Sequence, residues 1–234
     1  ADVNVNGISG GRFDGNMVLF SAGFYLSGYD NDSLWANGIA SASRVEDYQA
    51  GPVGSEPTDP FNKIYILKNS DPPFGGSWFQ YQYAVDLGAD FFDGDGDGVY
   101  NPVDLNNNNL WDPNEDRPDL IADVTTWCVY NDGVPSSLRR WTDSQPMGIE
   151  VQQTVFAWGE NVIDPIDNMI FVRYRLINKG TVSDKFDDVY FSCYSDPDLG
   201  DFQDDLVGCD TSLNLGYIYN QGPDEIFGEN PPAL

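Results

Sequence analysis

The chain has 234 residues, with 11 Lys and Arg against 38 Asp and Glu, a formal net charge of −27 and no His. That balance excludes nucleic acid and anionic membrane surfaces as partners, since both would repel it, and the lack of His removes Ser-His and Cys-His catalysis and the usual proton shuttle. With 41% hydrophobic and 14% aromatic residues the chain folds rather than staying disordered, and its length suits one all-β domain over residues 1–234.

Residues 1 to 12 lack the basic start and apolar stretch of a signal peptide, so any export signal is read as already removed. No apolar run approaches the ~20 residues that cross a bilayer, so no membrane insertion is expected. The stretch MVLFSAGFYLSG reads as a strand, and so does LWANGIASASRVEDY, although the second also passes for a weak helix. Residues 50 to 62 read as a surface loop, KIYILK as a strand, and residues 69 to 77 as a second loop. ADVTTWCVYND follows as a strand, and from there period-two alternation dominates. Ile149, Val151, Val155 and Ala157 share one face of IEVQQTVFAW. Ile170, Val172, Tyr174 and Leu176 share one face of NMIFVRYRLIN, with Arg173 and Arg175 on the other. DDVYFSCYSD aligns Val189, Phe191 and Cys193, and SLNLGYIYN aligns Leu213, Leu215, Tyr217 and Tyr219. Short strands between Asn, Asp, Gly and Pro turns predict an antiparallel β-sandwich, jelly-roll-like, with an acidic loop segment inserted at residues 90–118.

That segment contains DGDGDGVYNPVDLNNNNLWDPNED, residues 93 to 116, and no Lys or Arg lies between Lys68 and Arg117. An EF-hand-type calcium loop wants oxygen ligands at positions 1, 3 and 5, Gly at 6, a carbonyl at 7, a side chain at 9 and an acid at 12. Counted from Asp93, those positions fall on Asp93, Asp95, Asp97, Gly98, the carbonyl of Val99, Asn101 and Asp104. Counted again from Asp104, they fall on Asn106, Asn108, Asn109 as the left-handed turn residue, the carbonyl of Leu110, Asp112 and Glu115. Two Ca²⁺ sites are expected, with Val99, Tyr100, Leu110 and Trp111 placed to anchor the loops to a core. Magnesium fits less well, because it keeps several waters and demands octahedral geometry.

A second acidic stretch, SDPDLGDFQDDLVGCD, offers Asp196, Asp198, Asp201, Asp204, Asp205 and Asp210. A third calcium there competes with an ordinary turn in which Asp side chains cap backbone amides. Cys193 and Cys209 bracket this stretch and are able to close it as a disulfide in an oxidising compartment, against the alternative that Cys128, Cys193 and Cys209 are small apolar residues. Glu150, Glu160 and Asp164 are the carboxylates that a glycosidase-type reaction would draw on, with nothing to favour them, so the chain is read as no enzyme.

The loops that share Asp104 resemble thrombospondin type 3 and dockerin-like calcium repeats, on the residues Asp93, Asp95, Asp97, Gly98, Asn101 and Asp104. More widely, the succession GADFFDGDGDGVYNP, VTTWCVYND, IEVQQTVFAW, DNMIFVRYRLINKG and YSDPDLGDFQDDLVGCDTSLNLGYIYN is similar to a recurrent segment of large secreted proteins of Bacteroidetes-type bacteria. Those proteins are exported by the type IX secretion system. The likeness spans about residues 17 to 230 and is most specific from Tyr194 to Asn220. It implies an extracellular or cell-surface protein and no particular reaction. Asp32-Ser33-Leu34 matches the short O-glycosylation pattern of the same bacteria, with Ser33 as acceptor. The expected function is a calcium-stabilised structural or adhesive surface protein that associates with itself in a filament or layer, or with other surface proteins. The alternative is a calcium-dependent carbohydrate-binding module that stacks glycans on exposed aromatics.

Overall fold

The computed structural model describes residues 10–38, 47–139, 142–159 and 165–234. Glu160, Asp164 and the stretch 39–46 of the second expected strand lie outside them. In chain order the strands are β1 (Gly11–Phe13), β2 (Asn16–Asp30), β3 (Ser33–Gly38), β4 (Gln49–Ala50), β5 (Tyr65–Lys68), β6 (Phe91–Phe92) and β7 (Arg117–Pro118). They continue with β8 (Val124–Asn131), β9 (Ile149–Ala157), β10 (Phe171–Asn178), β11 (Asp187–Pro197), β12 (Asp205–Asp210) and β13 (Leu215–Asn220), and one helix, α1 (Gly76–Asp86), falls between β5 and β6. Every paired strand is antiparallel, and the fold is all-β and sandwich-like in class.

The chain divides into two compact units, one of Ala1–Asp47, Pro135–Gln145 and Phe186–Leu234, the other of Tyr48–Val134 and Pro146–Lys185. In the first, the long strand β2 pairs with β1, β3 and β11, and β12 pairs with β13. The turn between β2 and β3 is two residues long, Asn31 and Asp32, both at positive φ, with Asp30 paired to Ser33. This is the backbone that a two-residue hairpin requires, and Asn and Asp tolerate it best after Gly. Ser33 is exposed at the start of β3. Phe24 is fully buried and stacks on Phe191 at 5.2 Å, and Val18, Leu199 and Ile218 form a second buried group.

In the second unit, β8 is flanked by β9 on one side and by β4 and β5 on the other, and β10 completes the sheet beyond β9. Alternation along β8 puts Thr125, Trp127, Val129 and Asn131 on the buried face. Helix α1 lays Trp78, Tyr81 and Ala84 into the interior. Tyr65, Leu67, Tyr81, Ala84, Ala89, Tyr100, Trp127 and Val129 make one apolar cluster.

The expected strands are present in β2, β3, β5, β8, β9, β10, β11 and β13. Residues 76 and 77, read as the end of a loop, open α1 instead, and the DLVGCD part of the second acidic stretch is strand β12. Apolar residues that share a face are not always buried: Ile170 just before β10, Val172 and Leu176 within it, Val189 and Phe191 of β11, Leu213 before β13, and Leu215, Tyr217 and Tyr219 within it are all exposed.

Candidate metal site

The acidic segment leaves and rejoins its unit through the two-residue ladder of β6 and β7, which pairs Phe91 with Pro118 and Phe92 with Arg117. Between them the chain makes two loops with the same internal plan. In the first, Asp93 accepts the amides of Gly96 and Gly98 at 2.7 and 2.9 Å, Asp95 that of Asp97 at 3.1 Å, and Asp97 that of Val99 at 2.7 Å. In the second, Asp104 accepts the amides of Asn108 and Asn109 at 3.2 and 2.7 Å, Asn106 that of Asn108 at 3.0 Å, and Asn108 that of Leu110 at 2.7 Å. The backbone repeats as well. Positions 4 and 6 are left-handed in both loops, occupied by Gly96 and Gly98 in one and by Asn107 and Asn109 in the other. Asn is the side chain that visits this region most readily after Gly, which accounts for the asparagine run of the second loop.

Each loop is closed by a carboxylate that joins its position 2 to its position 9. Glu115 closes the second, accepting from Leu105 at 2.7 Å and Asp112 at 2.9 Å. Asp116 closes the first, accepting from Gly94 at 2.9 Å and Asn101 at 2.8 Å. Both acids are 2% exposed. Asp104, expected as the twelfth ligand of the first loop, gives its carboxylate to amides of the second, and Asp116 is a participant that the spacing did not single out. Gly94 is compulsory, because a Cβ there would meet the Glu115 main chain at 2.3 to 2.5 Å.

Asp93, Asp95 and Asp97 each place one carboxylate oxygen within 4.8 Å of the other two, and they are the group of that kind among the described residues. Within those residues no Lys or Arg pairs with them. The Asp97 amide favours the Asp95 carboxylate, but desolvation and the charges of Asp97, Asp116 and Asp93 outweigh it and raise the Asp95 pKa. At Asp104 the balance runs the other way: desolvation is the largest single influence, but amides from Asn109, Asn108, Asn107 and Asn106 together hold the carboxyl below its usual range. An all-oxygen donor set with crowded, uncompensated charge is what a hard cation such as Ca²⁺ binds.

Of the four expected anchors one reaches the interior, and a second, the half-buried Trp111, packs within the segment itself. Tyr100 is 2% exposed, donates its hydroxyl to the Trp78 carbonyl at 2.8 Å, and meets Tyr81 and Phe91 edge-on. Trp111 donates its indole N–H to the Glu115 carbonyl and carries Arg117 over its ring at 4.2 Å. Val99 and Leu110 are 59% and 65% exposed. The carboxylate of Asp112 accepts from the amide groups of Asn106 and Asn108 at 2.7 and 3.0 Å.

The second acidic stretch is not gathered in this way. Asp204 and Asp205 both accept from the Asn220 side chain, at 3.0 and 3.1 Å, and Asp205 also accepts the Leu199 amide. Burial and then the neighbouring Asp196 and Asp205 charges raise the Asp198 pKa. Asp201 accepts from Gln203, while Asp210, about 16 Å along β12 from Asp205, caps the hairpin turn through Ser212 and Leu213. Asp224, not singled out by spacing, ties in the amides of Asp201, Ile226 and Phe227. Asp201, Asp205, Asp210 and Asp224 therefore serve as caps of backbone amides.

All three cysteines are free thiols, so no disulfide joins Cys193 to Cys209 in this structure. Cys193 is on β11 and Cys209 on β12, and burial pushes the Cys128 thiol up to about 11, which favours its protonated form. Glu150 is buried, accepting the Val53 amide and facing Lys179 at 3.6 Å, the environment of a structural ion pair. No helix among the described residues is long and apolar enough to cross a membrane. No protein-family model matches the chain, and neither the curated proteins nor the solved structures contain a match to it.

Proposed function

We propose that this chain is a calcium-stabilised extracellular structural or adhesive surface protein, with its ions held in the tandem loops of residues 93–116. The observation that carries the reading is the repeat of one hydrogen-bonding plan in two consecutive loops around carboxylates that have no cationic partner among the described residues. Asp93, Asp95, Asp97 and Asn101 would hold one ion, and Asp104, Asn106, Asn108, Asp112 and Glu115 the second, with the carbonyls of Val99 and Leu110 as main-chain donors. What the ion supplies is positive charge and an oxygen-coordinating centre. The protein residues set the turns, order the side chains and tie them through Tyr100 to helix α1 and the apolar cluster. Loops of this kind in extracellular modules bind in the ~0.1–1 mM range, so they fill outside cells and stay empty in cytosol.

The resemblance to type IX-exported segments supports a surface location. Association has its own support in the exposed apolar side chains of the β11–β13 region, where Val207 is 82% exposed and Leu213 69%. A net charge of −27 opposes contact between copies, and a divalent ion weakens that repulsion. The test is thermal melting and light scattering of one sample in millimolar calcium and again after chelation. The proposal predicts a lower melting temperature and smaller particles after chelation. Melting that is indifferent to the chelator would remove calcium from the account, and a monomer that persists in millimolar calcium would remove self-association.

A further inference from the structure

Two arginines of β10 reach the two ends of the acidic segment. Arg175 contacts Asp90 at 3.1 Å, and Arg173 contacts Asp119 at 2.7 Å. Asp90 immediately precedes β6 and Asp119 immediately follows β7, so the pair is the next opposed position beyond Phe91 and Pro118. Opposed residues of an antiparallel ladder lie about 4.5–5.5 Å apart between Cα atoms. Residues i and i+2 of a strand lie about 6.6 Å apart on one face. Arg173 and Arg175 thus lie on one face of β10, and each pairs with one of the two stems.

The guanidinium groups are themselves held from the sheet side. Arg173 donates to Thr154 Oγ1 at 3.2 Å and Arg175 to Gln152 Oε1 at 3.4 Å. Thr154 and Gln152 are buried cross-strand neighbours of Arg173 and Arg175 on β9. Gly88 lies against Gln152, where a Cβ would come within 2.5 Å of Nε2, and the Tyr81 hydroxyl donates to the Asp90 carbonyl at 2.9 Å. An exposed ion pair taken singly contributes little. Two pairs on opposite stems of one excursion, each backed by a buried side chain, restrict how far those stems splay.

We infer that Arg173 and Arg175 are positioning residues for the loop segment: they fix its two stems to the sheet and so hold the carboxylates of residues 93–116 in their ion-ready arrangement. The inference deepens the calcium reading and rests on it for its effect on affinity, while its effect on loop order does not. The experiment compares the wild-type protein with Arg173→Gln/Arg175→Gln and with Arg173→Lys/Arg175→Lys, by amide hydrogen exchange without metal and by calorimetric titration with calcium chloride. In the Gln variant, exchange at Gly96, Gly98, Asn108 and Asn109 accelerates, the amides of β8 and β9 keep their protection, and calcium affinity falls about two- to thirty-fold, the range that two exposed pairs together span. The Lys variant retains the charges and falls between. Unchanged loop exchange in the Gln variant overturns the inference, and so does a matching loss of protection in β8 and β9, which would mark a general structural role. Absence of calcium binding in the wild type contradicts the proposed function, and the exchange comparison still decides the role of the arginines.

Discussion

The crossed closure of the two loops gives a prediction that separates neighbouring acids. Asp116→Ala removes two charge-assisted hydrogen bonds, from Gly94 at 2.9 Å and Asn101 at 2.8 Å. Bonds to a charged acceptor contribute about 1.5–3 kcal/mol each when buried. Gly94 is partly buried, but Asn101 is exposed and its amide regains water. The net cost is therefore about 2–3 kcal/mol, or a fall of roughly 6–10 °C in the melting temperature of a unit this size. Locally, amide exchange at Gly94 and Asn101 accelerates by about 30-fold or more, while Leu105 and Asp112, held by Glu115, change little. Glu115→Ala gives the mirror result. Asp116→Asn keeps a neutral acceptor and falls between wild type and Ala. Equal loosening of both loops by either substitution, or faster exchange in the second loop when Asp116 is removed, would refute the assignment of one closing acid to each loop.

Further substitutions probe the charge and the backbone. The Asp95 pKa is raised, so its ionised form is disfavoured in the folded protein and stability falls as pH rises through that folded pKa. Asp95→Asn should therefore raise the metal-free melting temperature at neutral pH, with the gain vanishing in acid where the carboxyl is protonated, and should shrink the extra stability that calcium provides. For Asp224 the sign reverses: backbone amides from Asp201 and Phe227 lead the effects that lower its pKa, so its contribution is present above the ordinary carboxylate range and is lost as pH falls through the folded value. Asp224→Asn abolishes that acid-dependent loss, as read by melting in a pH series. Gly94→Ala drives a methyl into the Glu115 main chain and costs at least about 2 kcal/mol by denaturant melting, whereas Gly96→Ala, with open space but φ +77, costs only the ~1–2 kcal/mol of a left-handed side-chain residue.

Much of the framework was legible because period-two alternation is local. Ile149 and Val151 mark β9 by themselves, and Trp127 and Val129 mark β8. Helix α1 was not, since its sequence GSWFQYQYAVD is rich in aromatics of modest helix propensity. It also begins at Gly75 without a side-chain cap, which removes the usual start signal. Its place is set by Trp78, Tyr81 and Ala84 packing inward, a tertiary cause. Strand β12 was hidden by Asp204, Asp205 and Asp210, whose spacing reads as a polar turn. The loop positions from Asp93 to Glu115 were readable as a pattern, down to the left-handed Asn109. Asp116 was not, because it acts 22 residues away from Gly94, a distance that no loop template spans and that only the β6–β7 ladder closes. The alternation in β10, β11 and β13 marks shared faces correctly, yet period two carries no information on whether a face is covered.

Calorimetric titration of the metal-free protein with calcium, repeated on a variant with Asp93, Asp95 and Asp97 all changed to Asn, tests the central claim most directly. Two ions per chain with dissociation constants around 0.1–1 mM, and loss of one of them in the variant, is the predicted result. No binding at millimolar calcium, or binding that the variant leaves untouched, would contradict the account.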